Sequence, residues 1–366
     1  MSTPHFHALT VTRVTPEAAG AAAITFSVPA ELQDTFDFSP GQFLTLRARI
    51  DGAETRRSYS ICSPHARYRQ SHELEVGIKP VEGGVFSRWA VTHLRAGDTL
   101  DVMPPDGRFT PRHAGAVHRV AFAAGSGITP VLSIIASTLA AEPASRFTLV
   151  YSNQRVNTIM FNEALQDLKD QYPARLSLIH LLSRQPQEVA LLNGRLDEAK
   201  VHELLCSVLP VTAMDEVFIC GPEGMIDATE RALLAAGLPR ERVHCERFFA
   251  AGTVATKSVA ESGRPARTTA PNDPKHVLDV VMDGKTHHLA MGADDHVLDV
   301  ALDAGLDLPY SCKGGVCCTC RARVLEGQVQ MDKNFTLEPW EIEKGFVLTC
   351  QSRPLTARVV VSYDER

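Results

Sequence analysis

No surplus of positive charge marks this chain: 37 Lys and Arg stand against 43 Asp and Glu over 366 residues, a net charge of −6. Nucleic acid and anionic membrane surfaces are therefore excluded as leading partners, because such binding draws on excess cationic side chains. The start, MSTPHFHALTVTRV, lacks a basic segment followed by an apolar one. That predicts no secretory leader and a cytoplasmic setting, where thiols stay reduced. One long stretch lacks charge, Val120 to Ala141, but Gly125, Ser126, Gly127 and Pro130 interrupt it. It reads as a short strand, a glycine turn and a proline-opened helix, and not as a membrane span. With 44% hydrophobic and 22% charged residues the chain is neither disordered nor fibrous, and it is long enough for about two or three domains.

Helical periodicity is scarce before about residue 110. Leu44, Leu46, Ala48 and Ile50 alternate with Thr45, Arg47 and Arg49, and Leu74, Val76 and Ile78 with Glu73, Glu75 and Gly77. Both segments predict half-buried strands, and turn pairs recur at Pro40-Gly41, Asp51-Gly52, Gly83-Gly84 and Asp106-Gly107. An antiparallel Greek-key barrel is expected there. Apolar runs then alternate with helical stretches from VAFAAG to EGMIDATERALLAAG, the pattern of a doubly wound parallel α/β sheet. Between Ala250 and Pro274 no aromatic residue is present, and a linker is expected over 251–273. Beyond it, VLDVVMDGKTHHLAM predicts a hairpin around Asp283-Gly284, followed by a helix from Val297 to Ala304. From Pro274 onward 10 Lys and Arg face 14 Asp and Glu, so this unit carries −4 of the total charge. A basic partner surface would suit it, although simple solvation accounts for such a face equally.

Five of the nine cysteines fall in the last 55 residues. Cys312, Cys317 and Cys320 form C-x4-C-x2-C, and 29 residues separate Cys320 from Cys350, the plant-type [2Fe–2S] spacing. Gly314 and Gly315 lie where backbone must curl around the cluster and aim N–H groups at sulfur. A zinc ribbon would need two spaced pairs, whereas only Cys317 and Cys320 form one. A Rieske centre would need histidine ligands, and no Cys-x-His occurs. Cys318 is then a spare thiol, and Cys62, Cys206 and Cys245 are expected to be buried small hydrophobes.

Three short segments earlier in the chain carry nucleotide chemistry. Arg57-Ser58-Tyr59-Ser60 groups a cation, an aromatic and a hydroxyl, a match that a solvated arginine beside a packed tyrosine would explain if it stood alone. Gly84-Val85-Phe86-Ser87 precedes a helix-like stretch whose N–H groups could receive a pyrophosphate. Gly125-Ser126-Gly127-Ile128-Thr129-Pro130 ends the first apolar run of the parallel sheet, although Pro130 stands where a Rossmann fingerprint has its third glycine.

In order, RSYS, GVFS, PDGRF, GSGITP, CGPEGM and ERF resemble the ferredoxin–NADP reductase superfamily across residues 5–250, and LPYSCKGGVCCTCRARVLEG resembles a plant-type ferredoxin domain. The resemblance implies an FAD-binding barrel over 1–112, an NAD(P)-binding domain over 113–250 and a β-grasp ferredoxin over 274–366. It implies that Arg57 pairs with the flavin diphosphate, that Tyr59 packs on the isoalloxazine and that Ser60 stands near its hydride-accepting nitrogen. Ile78 and Lys79 would lie along the flavin, and Gly84, Val85 and Ser87 would form the diphosphate turn. Gly125, Gly127, Thr129 and Pro130 would form the nicotinamide nucleotide turn. Cys220, Gly221 and Pro222 would sit beside the nicotinamide, with Glu246 as the acidic residue near the C-terminal edge. Ser183 and Arg184, following LSLIHLL, should emerge on the ligand edge of the sheet and resemble the pair marking NADP-specific members, so NADPH is expected over NADH. The domain order resembles reductase components of multicomponent oxygenases, an order shared by reductases of ketosteroid hydroxylases and of hybrid-cluster proteins. The implied chemistry is electron flow from NADPH through FAD and [2Fe–2S] to a separate terminal oxygenase.

Overall fold

The computed structural model describes residues 5–248 and 276–365, so the linker expected at 251–273 lies outside the described residues. The chain divides into two compact units, one spanning Phe6–Phe248 and the other holding the C-terminal part.

The first unit opens with a barrel. Its strands are β1 (His7–Pro16), β2 (Ala22–Ser27), β3 (Phe43–Ile50), β4 (Ala53–Ser60), β5 (Glu73–Ile78) and β6 (Thr99–Val102), joined by helices α1 (His65–Ser71) and α2 (Val85–His93). They pair antiparallel in the order β4-β3-β6-β1-β2-β5. An Ile61–Val76 bridge and a Cys62 N–H bond to the Glu75 carbonyl at 2.8 Å bring the two edges of the sheet together. Alternating side chains fill the interior with Leu9, Ile24, Phe26, Leu44, Leu46 and Val76. Thr45 departs from the expected alternation: it is buried, and the hydroxyl is satisfied by Ser58 Oγ at 3.0 Å.

The same unit continues into β7 (His118–Ala124), α3 (Ile128–Ala141), β8 (Arg146–Asn153), α4 (Asn162–Gln171), β9 (Leu176–Leu182), α5 (Glu198–Ser207), β10 (Glu216–Gly221), α6 (Glu223–Ala235) and β11 (Val243–Arg247). All five strands are parallel, in the order β11-β10-β7-β8-β9. α3 and α4 cover one face and α5 and α6 the other. The chain reverses direction across the sheet between β7 and β10, which opens a crevice at their carboxyl ends. The uncharged stretch 120–141 folds as expected, and among the described residues no helix is long and apolar enough to cross a membrane.

At the opposite end of this sheet the fully buried Arg119 donates to Glu216 Oε2 at 3.0 Å, to Glu142 Oε2 at 2.7 Å and to the carbonyl of His113. Glu216 Oε1 accepts the Arg112 N–H at 2.7 Å and faces His244 Nε2 at 3.3 Å. Burial alone would raise the Glu216 carboxyl, but bonds from His244, Arg112 and Arg119 outweigh it and hold the group at about 2. The segment joining barrel to sheet is thereby tied to both β7 and β10.

The second unit is a β-grasp. β12 (His276–Met282) and β13 (Lys285–Met291) form the expected hairpin, with Asp283 and Gly284 both left-handed. α7 (Val297–Asp303), β14 (Arg321–Glu326), β15 (Val329–Met331), α8 (Pro339–Glu343), β16 (Phe346–Leu348), β17 (Ser352–Pro354) and β18 (Arg358–Ser362) follow, and the main sheet runs β13-β12-β18-β14-β16. Two cysteine expectations give way: Cys206 is exposed, because it lies on the solvent side of α5, whose buried residues are Val201, Leu204 and Leu205, and Cys245 on β11 is only partly buried.

Candidate functional site

Period-two alternation sends Arg57 and Tyr59 to one face of β4 and Ser58 and Ser60 to the other. Tyr59 is half-buried, its ring 5.7 Å from that of Phe86 on α2, and burial pushes its hydroxyl above the usual range. Arg57 is exposed, with one guanidinium nitrogen on the Arg56 carbonyl at 2.7 Å. Ile78 has no exposed surface and lies in the barrel core, so only its backbone is available to a ligand. Gly84 precedes the first turn of α2, where a Cβ would stand 2.5 Å from Ser87 Oγ, and that hydroxyl accepts the Val81 N–H at 3.3 Å. Val85 is exposed at the helix N-terminus, beside unpaired first-turn N–H groups suited to a diphosphate.

The nucleotide turn lies at the reversal crevice. Gly127 is buried so close to β10 that a Cβ would meet the Cys220 carbonyl oxygen at 2.1 Å. Gly221 and Pro222 continue from there into α6. Thr129 and Pro130 are buried in the first turn of α3, and the Thr129 hydroxyl donates to the Ser126 carbonyl at 3.0 Å. These two side chains shape the turn from behind. Lys79 crosses from the barrel, and its ammonium lies 3.6 Å from where a Cβ of Gly125 would stand. The motif places Lys79 along a flavin; its reach to the nucleotide turn is a tertiary fact.

Barrel and sheet converge at Ser60, whose hydroxyl donates to Glu246 Oε1 at 2.8 Å. Glu246 lies on β11 directly opposite Cys220 on β10. Burial raises the Glu246 carboxyl to about 7 against the opposing pull of the Ser60 bond. Burial, with the charges of Glu246 and Cys245 adding, pushes the Cys220 thiol well up, so it is a neutral group.

Ser183 and Arg184 emerge from β9 at the carboxyl edge, their N–H groups on the carbonyls of Asn153 at 3.0 Å and Gln154 at 2.9 Å. Those bonds align the loop after β9 with the loop after β8, which carries Arg155. Arg184 and Arg155 are both exposed, and neither has an ion-pair partner among the described residues. Arg155 escaped the sequence reading because no local motif surrounds it.

In the second unit the four expected cysteines pair two and two. Cys312 is hydrogen-bonded with Cys317, and Cys320 with Cys350; sharing the proton holds Cys312 and Cys350 low and pushes Cys317 and Cys320 up. Among the described residues no point gathers three such ligands around a single metal ion. Four cysteines grouped two and two suit a two-iron cluster, with two thiolates for each iron. The Gly314 N–H points at Cys312 Sγ at 3.3 Å, and Gln351 Nε2 reaches Cys350 Sγ at 3.6 Å and the Lys313 carbonyl at 3.0 Å. Gly315 has φ +79°, and its absent Cβ leaves room for the Lys333 carbonyl, 3.0 Å from that position. Thr349 Oγ1 donates to the Cys320 carbonyl at 2.8 Å, fixing the fourth ligand's turn to the loop.

Residues 8–110 match the oxidoreductase FAD-binding domain family, residues 122–231 the oxidoreductase NAD-binding domain family, and residues 280–355 the 2Fe-2S iron-sulfur cluster binding domain family. The chain is 46% identical to a component of the 1,2-phenylacetyl-CoA epoxidase of Escherichia coli K12, over 99% of this chain and 98% of that protein. It is 34% identical to the ferredoxin reductase component of the 3-ketosteroid-9-alpha-monooxygenase of Rhodococcus rhodochrous, over 97% and 96%. Among solved structures, phthalate dioxygenase reductase shares the fold at a TM-score of 0.58 with 20% identity, covering 98% of each chain.

Proposed function

Because the chain belongs to the family of oxygenase reductase components that combine FAD-binding, NAD-binding and [2Fe–2S] domains, we propose that it carries electrons from NADPH to the oxygenase component of a phenylacetyl-CoA epoxidase. The observation that carries the electron path is the 2.8 Å bond from Ser60 to Glu246, which closes the flavin strand of the barrel onto the nucleotide crevice. The choice of partner rests on the 46% identity to the epoxidase component; a ketosteroid monooxygenase is the second reading, at 34%. The proposed organisation is a barrel over 1–112, a nucleotide domain over 113–250, a linker over 251–273 and a ferredoxin over 274–366, in a cytoplasmic setting.

When bound, FAD would accept one hydride, that is two electrons, from the nicotinamide, and the cluster would pass electrons singly, chemistry that belongs to the cofactors. The chain supplies position and protons. Tyr59 offers its ring to the flavin plane, while Arg57, Gly84, Val85, Ser87 and the N-terminus of α2 take the diphosphate. Gly125 and Gly127 let the nucleotide backbone approach, and Lys79 adds a cation at that turn. Gly221 and Pro222 turn the chain away, which leaves the neutral Cys220 as an apolar wall for the nicotinamide. Glu246, near 7, holds or releases a proton at neutral pH through the Ser60 hydroxyl. Ser183, Arg184 and Arg155 would hold the 2′-phosphate that distinguishes NADPH from NADH.

The test is anaerobic titration of the purified holoprotein with NADPH, followed by reconstitution with the epoxidase catalytic components and phenylacetyl-CoA. Bleaching of flavin and cluster together, then NADPH-dependent epoxidation, is expected. Failure to bleach the cluster overturns the electron path; bleaching without epoxidation overturns the partner.

A further inference from the structure

Tyr151 stands on β8 in the core between the sheet and α3, fully buried in one cluster with Phe147, Leu149 and Ile128. Phenylalanine fills the sheet's interior at Phe122, Phe147 and Phe218 with no hydroxyl to satisfy. The hydroxyl of Tyr151 therefore needs a reason, because a buried phenol must find an acceptor. It donates to the Gly125 carbonyl at 2.8 Å, with the Met160 carbonyl farther off at 3.5 Å. Burial pushes its pKa well above the usual range, so at working pH it is a neutral donor. His180, opposite it on β9 with its ring 6.0 Å away, does not compete for the proton: neither ring nitrogen has a partner among the described residues.

Gly125 is the point where the nucleotide turn is least held by its own chain. Its φ of +53° is left-handed, a conformation that glycine enters and leaves at low cost. Among the described residues only Lys79 Nζ, at 3.6 Å, lies within 4 Å of where its Cβ would stand, so no packed side chain restrains it from the crevice. The restraint comes from behind. The Gly125 carbonyl accepts both the Tyr151 hydroxyl and the Ile128 N–H, and the Ser126 carbonyl accepts the Thr129 hydroxyl at 3.0 Å. In a planar trans peptide the carbonyl and the N–H point in opposite directions. Pinning these two carbonyls inward therefore turns the N–H groups of Ser126 and Gly127 outward, where a left-handed glycine followed by helical backbone makes an anion-binding concavity.

We propose that Tyr151 is a positioning residue for the nicotinamide nucleotide, its hydroxyl locking the Gly125–Ser126 peptide so that the Ser126 N–H is already aimed when the diphosphate arrives. The proposal rests on the reading above that this turn receives the coenzyme. Being fully buried, Tyr151 does not touch the ligand and acts through one peptide plane. A plane fixed beforehand removes an ordering cost that binding would otherwise carry. NADPH and NADH share the diphosphate, so the effect is blind to the 2′-phosphate, unlike that of Arg184 and Arg155.

The experiment uses full-length holoprotein carrying Tyr151→Phe, which keeps the ring and leaves the Ile128 N–H on the Gly125 carbonyl. With ferricyanide as acceptor, kcat/KM should fall about tenfold for NADPH and NADH alike, as expected for one weakened charge-assisted bond; the fall should lie in KM, with kcat within about twofold of wild type. The inhibition constant of 2′-AMP, which carries the 2′-phosphate and no diphosphate, should not move, and flavin content should match wild type. A KM unchanged for both coenzymes overturns the proposal. So does an equal weakening of 2′-AMP, which would report a general disturbance of the domain, or a loss confined to NADPH, which would assign the hydroxyl to the 2′-phosphate. In the wild type, saturating NADP+ should slow hydrogen–deuterium exchange across residues 122–131, a measurement that needs no variant, and unchanged exchange also overturns the proposal. If the wild type uses NADH alone, the NADPH reading falls and the same tests with NADH and NAD+ decide on Tyr151. If it uses neither coenzyme, the nucleotide reading falls and the proposal falls with it.

Discussion

Replacing Gly127 by Ala places one methyl group in the tightest backbone contact of the nucleotide crevice. The new Cβ would stand 2.1 Å from the Cys220 carbonyl oxygen and 2.5 Å from its carbon, against a lower limit of about 3.0 Å for real contacts. The ends of β7 and β10 must therefore separate by about 0.9 Å, and neither obstacle is a side chain that could swing aside. Overpacking of this kind costs about 1–3 kcal/mol of stability. The larger effect is on geometry, because in the proposed site Cys220 walls one side of the nicotinamide position and the nucleotide turn sets the other. A misplacement near 1 Å costs on the order of 100-fold in a reaction that depends on alignment. Stopped-flow absorbance at the flavin band under excess NADPH should show hydride transfer slowed by about two orders of magnitude. The cluster's paramagnetic signal after dithionite reduction should be untouched, since its ligands belong to the other unit. A folded Gly127→Ala protein that transfers hydride within about threefold of wild type would refute the reasoning.

Serine at Cys312, Cys317, Cys320 or Cys350 should abolish or cripple the cluster, read as iron content, while Cys318→Ser keeps it; the reverse pattern between Cys317 and Cys318 ends the ligand assignment. Arg184→Ala, and Arg155→Ala with it, should lower kcat/KM for NADPH about tenfold while leaving NADH nearly level, as loss of one charge-assisted phosphate contact predicts; equal effects on both coenzymes count against the site. Glu246 binds its proton more tightly in the folded chain, with its pKa raised from 4.5 to about 7. Its relative stabilisation is full below about pH 4.5 and is lost as pH rises through about 7, by up to roughly 3 kcal/mol. Urea unfolding should accordingly show Glu246→Gln gaining on wild type between pH 5 and 8, and parallel profiles would contradict the shift.

The iron–sulfur domain was legible in the sequence because four cysteines stand in a spacing that little other chemistry uses, and the crevice because strand, glycine turn and helix follow one another locally between residues 118 and 141. α1 was not legible: of His65–Ser71 only Tyr68 is buried, so no apolar stripe announces a helix. β11 hides because only two of its five residues are buried. Arg155 and the reach of Lys79 acquire meaning only once loops distant in sequence are side by side. The opposite error, Cys206, shows that cysteine preference for the interior yields to position on an amphipathic helix.

The network of Arg119, Glu216 and the joining segment bears on how such reductases can be recombined. A crossover placed between Arg112 and His113 would look neutral on paper, yet Arg112 gives its N–H and His113 its carbonyl to partners at the base of the sheet. Phe109, just upstream, packs edge-on against Phe218 of β10 at 5.3 Å. A barrel from a homologue grafted at that seam would bring a foreign strap to a socket whose buried carboxylate and guanidinium tolerate no vacancy. Barrel and nucleotide sheet should therefore be exchanged together, as one cassette, in any laboratory chimera.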